Sequence, residues 1–206
     1  MTLRARVFGL FPTAWLASVG ACAYFAVTEP GVVSVAALLA MLYLLPPACF
    51  RTHNLLWPLV EGRSRLDTSE YSPWWGSHQF QVVYNAFPAL EAALRLVPGA
   101  YSAWLRLWGS RIGRRVHWTP RVDITDRSLL EVGDDAVFGH LVACYAHVVM
   151  HRRERVLLYV RRIRIGRGVL LGFACRLGPG VRIDDSVVLG SRTDVFAGRR
   201  IRAGSK

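Results

Sequence analysis

Ile165-Gly-Arg-Gly-Val-Leu-Leu171-Gly-Phe-Ala-Cys-Arg-Leu177-Gly-Pro-Gly-Val-Arg-Ile183-Asp-Asp-Ser-Val-Val-Leu189-Gly-Ser-Arg-Thr-Asp-Val195-Phe-Ala-Gly-Arg-Arg-Ile201 carries an apolar residue at every sixth position. Glycine follows that residue at Gly166, Gly172, Gly178 and Gly190, and a second mid-sized residue stands two places before it, at Ile163, Val169, Cys175, Val181, Val187 and Thr193. A period of six is neither the 3.6 of an α-helix nor the 2 of a half-buried strand. It fits a solenoid in which six residues make one flat face and turn a corner, so that three faces close a coil of about eighteen residues. The glycines answer either a positive φ at the corner or close approach of backbone.

The ladder extends upstream. Val132-Gly133, Phe138-Gly139 and Cys144 keep the step, and Ile112-Gly113, Trp118 and Ile124 keep it in a register shifted by two. Between Tyr145 and Ile163 it breaks, which predicts an excursion over about 146–162. Trp108-Gly-Ser-Arg-Ile-Gly-Arg-Arg-Val116, Val132-Gly-Asp-Asp135, Ile165-Gly166 and Leu177-Gly-Pro-Gly-Val181 resemble the hexapeptide-repeat family, over Trp108 to the C-terminus. The likeness is to its membrane-tethered members, the C-terminal regions of polyamino-acid synthetases and maltose-type acetyltransferases. That resemblance implies a left-handed parallel β-helix and an acyltransferase using acetyl-CoA, another acyl-CoA or acyl carrier protein as cosubstrate, with no bound cofactor and no metal. Trimers are common in the family, which makes a homotrimer the expected assembly. Some members are not enzymes, so a non-catalytic scaffold for a biosynthetic partner enzyme is the alternative.

Of 206 residues, 52% are hydrophobic and 19% charged, and the mean hydropathy is +0.27. The two classes are segregated: the first fifty residues hold few charges, whereas arginine dominates after Arg51. A net charge of +12 calls for an anionic partner such as a bilayer surface or a phosphate-bearing cosubstrate. No aromatic-basic RNA motif or zinc-finger spacing supports nucleic acid. The four cysteines, Cys22, Cys49, Cys144 and Cys175, lack CxxC spacing and read as buried small hydrophobes.

Val7 to Val27 and Gly31 to Phe50 are apolar runs close to the ~20 residues a helix needs to cross a bilayer. Thr28-Glu29-Pro30 turns between them, so residues 1–51 are expected to form an α-helical transmembrane hairpin with spans at about 7–27 and 31–50. Arg4 and Arg6 before Ala21-Cys22-Ala23 also suit a cleaved leader, but a second apolar run follows at once. Arg4, Arg6, Arg51 and Arg63 flank the hairpin while its turn holds only Glu29, which predicts a multi-pass protein of the inner membrane with both termini cytoplasmic. Residues 52–109 are expected to form a helical connector. Ser72-Pro73-Trp74-Trp75-Gly76 reads as a turn, Phe87–Val97 and Tyr101–Trp108 as short amphipathic helices that either lie on the leaflet or pack against the β-helix of 110–206.

In hexapeptide acyltransferases an excursion commonly carries a catalytic histidine at its base. Counting from Val132-Gly133 selects His147; counting back from Ile165-Gly166 favours His151, and His140 after Gly139 is the third candidate. A neutral imidazole there would take the proton of an attacking hydroxyl or amine as it meets a thioester carbonyl. Glu131, Asp134 and Asp135 read as corner residues rather than as partners of the imidazole. By the same resemblance the donor's pantetheine runs near Gly172, Phe173, Gly190 and Ser191, with Arg192 or Arg199 near its phosphates. Asp184, in the place of a glycine, and Arg192, in the place of a small residue, depart from the family pattern. A last coil without the family's C-terminal helix is expected to rest on a partner surface, and the hairpin implies a lipid, lipid-linked or membrane-delivered acceptor.

Overall fold

The computed structural model describes residues 2–204, so Ser205 and Lys206 of the predicted β-helix lie outside the described residues. The chain forms two compact units: one of residues up to Leu59 with Thr68–Val83, the other of Val60–Asp67 with Tyr84 onward.

The first unit is helical. Helices α1 (Leu3–Gly9) and α2 (Phe11–Thr28) meet at a turn at Leu10, where Pro12 in the first turn of α2 needs no amide partner. Together Leu3–Thr28 is long and apolar enough to cross a membrane, and most of its large apolar side chains, Val7, Leu16 and Phe25 among them, face outward. The second predicted span is not one straight helix. It is α3 (Val32–Tyr43) and α4 (Leu45–Leu56), bent by 45° at Leu44. The cause is Pro46-Pro47, whose rings cannot continue the hydrogen bonding of the preceding turn, so a new helix starts there. α2 still packs on α3, and the buried Trp15 donates its indole N–H to the Met41 carbonyl at 2.9 Å. Inside this unit Phe8 contacts His53, Trp57, Tyr71 and Phe80 edge-on or tilted at 4.9–5.8 Å between centroids.

Helix α5 (Pro73–Ala86) covers the segment read as an aromatic turn, since Pro73 starts a helix as well as it makes a turn. Strand β1 (Gly62–Arg65), α6 (Pro88–Leu96) and α7 (Ala100–Trp108) follow the second unit's fold. α6 and α7 lie where the apolar spacing places them. In α7 the face of Tyr101, Trp104, Leu105 and Trp108 is buried to 3% exposure or less, so this helix packs in a core rather than lying on a leaflet. Trp118 Nε1 donates to Ser102 Oγ at 2.9 Å, and the Trp118 ring stands edge-on to Tyr101.

The remainder is a three-sided parallel β-helix. Its strands are β2 (Arg111–Ile112), β3 (His117–Trp118), β4 (Asp123–Ile124), β5 (Leu130–Val132), β6 (Val137–Phe138), β7 (Ala143–Cys144) and, after an excursion that holds β8 (His147–Arg152) and β9 (Arg155–Val160), β10 (Ile163–Ile165), β11 (Leu170–Leu171), β12 (Arg176–Leu177), β13 (Arg182–Ile183), β14 (Val188–Leu189), β15 (Asp194–Val195) and β16 (Arg200–Ile201). They pair in parallel as β2-β5-β10-β13-β16, β3-β6-β11-β14 and β4-β7-β12-β15. Register puts the predicted ladder residues in three inward columns: Ile112, Val132, Ile165, Ile183 and Ile201; Trp118, Phe138, Leu171 and Leu189; Ile124, Cys144, Leu177 and Val195. Most are under 9% exposed, and each fully buried side chain contributes roughly 1.5–3 kcal/mol. The two-residue shift in register has two parts: the corner of residues 125–129 holds five residues where its neighbours hold four, and β5 has three residues, with Leu130 and Val132 both inward.

The glycines after the ladder residues serve close approach. A Cβ on Gly133 would lie 2.6 Å from the Arg167 amide nitrogen of the next coil, and one on Gly139 2.6 Å from the Leu171 carbonyl oxygen. Positive φ falls two residues later, three after the ladder residue: glycine at 168, 180 and 198, but also Arg115, Asp135, Leu141, Ala174, Ser186 and Arg192. Each non-glycine corner costs about 1 kcal/mol of backbone strain, which the stacking of neighbouring coils offsets. Arg192 therefore occupies an ordinary corner position, and Asp184 bonds Arg200 at 3.0 Å.

Candidate active site

The break in the ladder is an antiparallel hairpin, β8–β9, with β1 completing a three-stranded sheet through β9. His147 is the first residue of β8, at the corner where the second coil would otherwise have turned. Its Nδ1 lies 2.8 and 2.9 Å from the two carboxylate oxygens of Asp126. Asp126 is 3% exposed and sits at the equivalent corner one coil earlier; its Oδ2 also accepts the Ala146 N–H at 3.0 Å. With Nδ1–H given to a buried carboxylate, the neutral ring carries its lone pair on Nε2. That tautomer is the one a general base requires.

Asp126 carries no local signal in the sequence; Asp134 and Asp135 hold corners as expected, whereas Glu131 lies in the middle of β5. Asp134 Oδ1 accepts the Arg114 N–H at 2.6 Å, and Asp135 and Glu131 pair with Arg115 and Arg164. The signal for Asp126 was available in the register. Ile112 and Val132 pair with an offset of twenty residues, and twenty beyond Asp126 is Ala146, beside His147.

The corner loop carrying Asp126 is held from behind. Arg127, 1% exposed, forms a short ion pair with Glu91 of α6 and donates to Asn85 Oδ1 at 2.9 Å. Arg95 bonds the same carboxylate from the other side at 2.6 Å and the Tyr101 hydroxyl at 2.7 Å. Burial, with the Glu91 charge adding to it, pushes the Tyr101 phenol far up, so it stays a neutral partner. Asn85, Glu91, Arg95, Asp123, Thr125 and Arg127 help line a pocket of about 550 Å³, so both chain neighbours of Asp126 face it. Desolvation raises the Asp123 carboxyl, opposed by the charge of Arg127 and a hydrogen bond from Tyr145.

The other candidates separate in space. His140, exposed, stacks on Phe173 with centroids 6.2 Å apart, and the Arg192 guanidinium lies 6.0 Å from the same ring. Gly172 and Gly190 stack directly, since the Gly172 N–H donates to the Leu189 carbonyl at 3.0 Å; Ser191 follows at the same corner. This is the corner between β6 and β7, β11 and β12, and β14 and β15, one face away from His147. His151 is exposed near the hairpin end and pairs with Val156. Cys144 and Cys175 are buried, and burial pushes the Cys144 thiol far up, which leaves it inert rather than nucleophilic.

No protein-family model matches the chain, and no curated protein matches it. Solved structures do resemble it. A hexapeptide-repeat-containing acetyltransferase from Vibrio cholerae shares 15% identity over 58% of this chain and 87% of its own, with a TM-score of 0.40. A maltose O-acetyltransferase from Clostridium difficile 630 shares 17% identity over 56% of this chain and 76% of its own, TM-score 0.39. A galactoside acetyltransferase in complex with coenzyme A shares 16% over 55% and 74%, TM-score 0.39.

Proposed function

We propose that the protein is a membrane-anchored acyltransferase. It moves an acyl group from coenzyme A or an acyl carrier protein to a hydroxyl or amine of a lipid, lipid-linked or membrane-delivered acceptor. The observation that carries the reading is the His147–Asp126 pair at the base of the excursion. His147 Nε2 accepts the acceptor's proton as its oxygen or nitrogen attacks the thioester carbonyl. Asp126 holds the ring and offsets the imidazolium charge that develops. Collapse of the tetrahedral adduct expels the thiolate, which takes the proton back from His147. Backbone amides at a coil edge stabilise the oxyanion.

The donor is assigned to the corner of Gly172, Phe173, Gly190, Ser191 and Arg192, and the acceptor's polar end to the pocket beside Asp126. Membrane attachment rests on Leu3–Thr28, with the bent α3–α4 pair taken as the returning span, so that the flanking arginines put both termini on the cytoplasmic side. Three copies would associate through the outward column of Val137, Leu170 and Val188, of which Leu170 is 41% and Val188 69% exposed.

The test is loss of thioester absorbance from acetyl-CoA, longer acyl-CoAs and acyl carrier protein, with membrane extract as acceptor source. Wild type should turn over, with His147→Ala reduced at least a hundredfold. Equal turnover in the two removes His147 from the mechanism. No turnover with any donor, together with a co-purifying biosynthetic enzyme, replaces this reading with a scaffold.

A further inference from the structure

The sheet β1-β9-β8 has two unlike faces. Residues directly opposite in an antiparallel sheet share a face. Register therefore groups Arg63, Tyr159 and Val148 in one row, Arg65, Leu157 and Met150 in the next, and Arg155 with Arg152 in the last, all on one side. The other side carries Leu158 and Val160, buried to 1% and 2% exposure, and His147, with the exposed Val149 and His151 toward the hairpin turn. The first face is thus turned away from the protein's core. Its centre is apolar: Met150 is 38% exposed, and Val148, Leu157 and Tyr159 are half-buried. Its margin is arginine: Arg63, Arg65, Arg152 and Arg155 are all exposed, and Arg153 projects from the turn. Asp67, bonded to Arg65 at 2.9 Å, and Glu154 in the turn are the carboxylates beside them, leaving the face cationic. Arg63 lies 5.9 Å from the centroid of the Tyr159 ring.

We propose that this face docks on an anionic lipid surface. Val148, Met150 and Leu157 enter the headgroup boundary, and the arginines bind lipid phosphates around them. An apolar centre rimmed by arginine is the chemistry of that boundary, where short apolar side chains and guanidinium groups are both accommodated. An acidic protein would be matched by the arginines but leaves no role for the exposed Met150 and the half-buried Val148 and Leu157 at the centre. The consequence for the site, which rests on the acyl-transfer reading, is one of distance only. His147 opens β8 on the reverse face, so docking sets it about one sheet thickness from the headgroups.

The experiment uses the full chain reconstituted in lipid nanodiscs, with Cys22 and Cys49 replaced by alanine and an environment-sensitive fluorophore on Met150→Cys. Discs contain phosphatidylcholine alone or mixed with phosphatidylglycerol, with or without doxyl-labelled lipid. The expected result is a blue shift and doxyl quenching in the anionic discs only. Both should be lost at high salt, where the Debye length falls to about 3 Å at 1 M, and both should weaken in Arg152→Gln with Arg155→Gln. Melting curves of that exposed pair of substitutions separate loss of docking from loss of fold. Equal quenching in both discs, or none in either, overturns the proposal. A blue shift produced by acyl carrier protein without doxyl quenching overturns it in favour of a protein partner. His147→Ala must keep the quenching whether or not it transfers acyl groups, so the two readings fail separately.

Discussion

Replacing Asp126 by asparagine should separate what the carboxylate does for folding from what it does for His147. The wild-type carboxylate accepts two hydrogen bonds, from Ala146 N–H at 3.0 Å and from His147 Nδ1–H at 2.8 Å. In Asp126→Asn the amide oxygen can keep the Ala146 bond, but the amino group then faces Nδ1 and must donate to it. That moves the ring proton to Nε2 and abolishes the base. An equivalent substitution in a Ser-His-Asp enzyme costs about 10⁴ in kcat, so a fall of about 10³ to 10⁴ is expected here. Stability should change little. One charge-assisted bond becomes a neutral one, about 1 kcal/mol, or roughly 2–4 °C in Tm for a protein of this size. Turnover follows from thioester absorbance. Independently of any acceptor, long-range ¹H–¹⁵N correlations of the imidazoles, assigned with His147→Gln, report the tautomer: Nδ1–H in wild type and Nε2–H in Asp126→Asn. An Nε2–H tautomer in the wild type, or an asparagine variant within a few-fold of wild-type turnover, would refute the reasoning.

Glu91→Ala leaves the buried guanidinium groups of Arg95 and Arg127 without their shared carboxylate. A loss of about 3–5 kcal/mol is expected in urea unfolding, and a loss near zero would mean the two arginines find other partners. Gly133→Ala forces a Cβ to within 2.6 Å of the Arg167 amide nitrogen and should cost about 1–3 kcal/mol, whereas Gly168→Ala, whose Cβ meets only Ser186 Oγ at 3.9 Å but whose φ is +60°, should cost nearer 1. The order of their melting temperatures checks the assignment of close approach to one position and positive φ to the other. Leu177→Ala, at 0% exposure in the middle of an inward column, should cost about 2–5 kcal/mol; a smaller value would show that the coils close over the void.

The six-residue ladder was legible because it is local. Each ladder residue meets its neighbours through a repeat that the chain itself spells out, so the six-residue spacing alone stacks Ile165 to Ile201. The excursion after Tyr145, the candidate His147, and helices α6 and α7 were legible for the same reason: a broken period, or an apolar spacing, is a property of a short stretch. The bend at Leu44 was half visible, since Pro46-Pro47 announces a break but not its angle of 45°. Helix α5 was missed because Pro73 followed by aromatics suits a turn and a helix start alike, and tertiary packing chose between them.

Three features belong to the tertiary structure alone. Asp126 meets His147 only when the first coil stacks on the second: the ladder spells the offset of twenty residues, which the five-residue corner 125–129 and the three-residue β5 make up, but not which corner side chain reaches the imidazole. The buried Glu91–Arg127–Arg95 set joins α6 to a β-helix corner across thirty-six residues, and charges that far apart carry no local signature. The arginine-rimmed face of β1-β9-β8 likewise appears only once register fixes which alternate residues share a side. A sequence states what each segment will bury; which buried surfaces meet, and which charges they bring together, is decided when the coils stack.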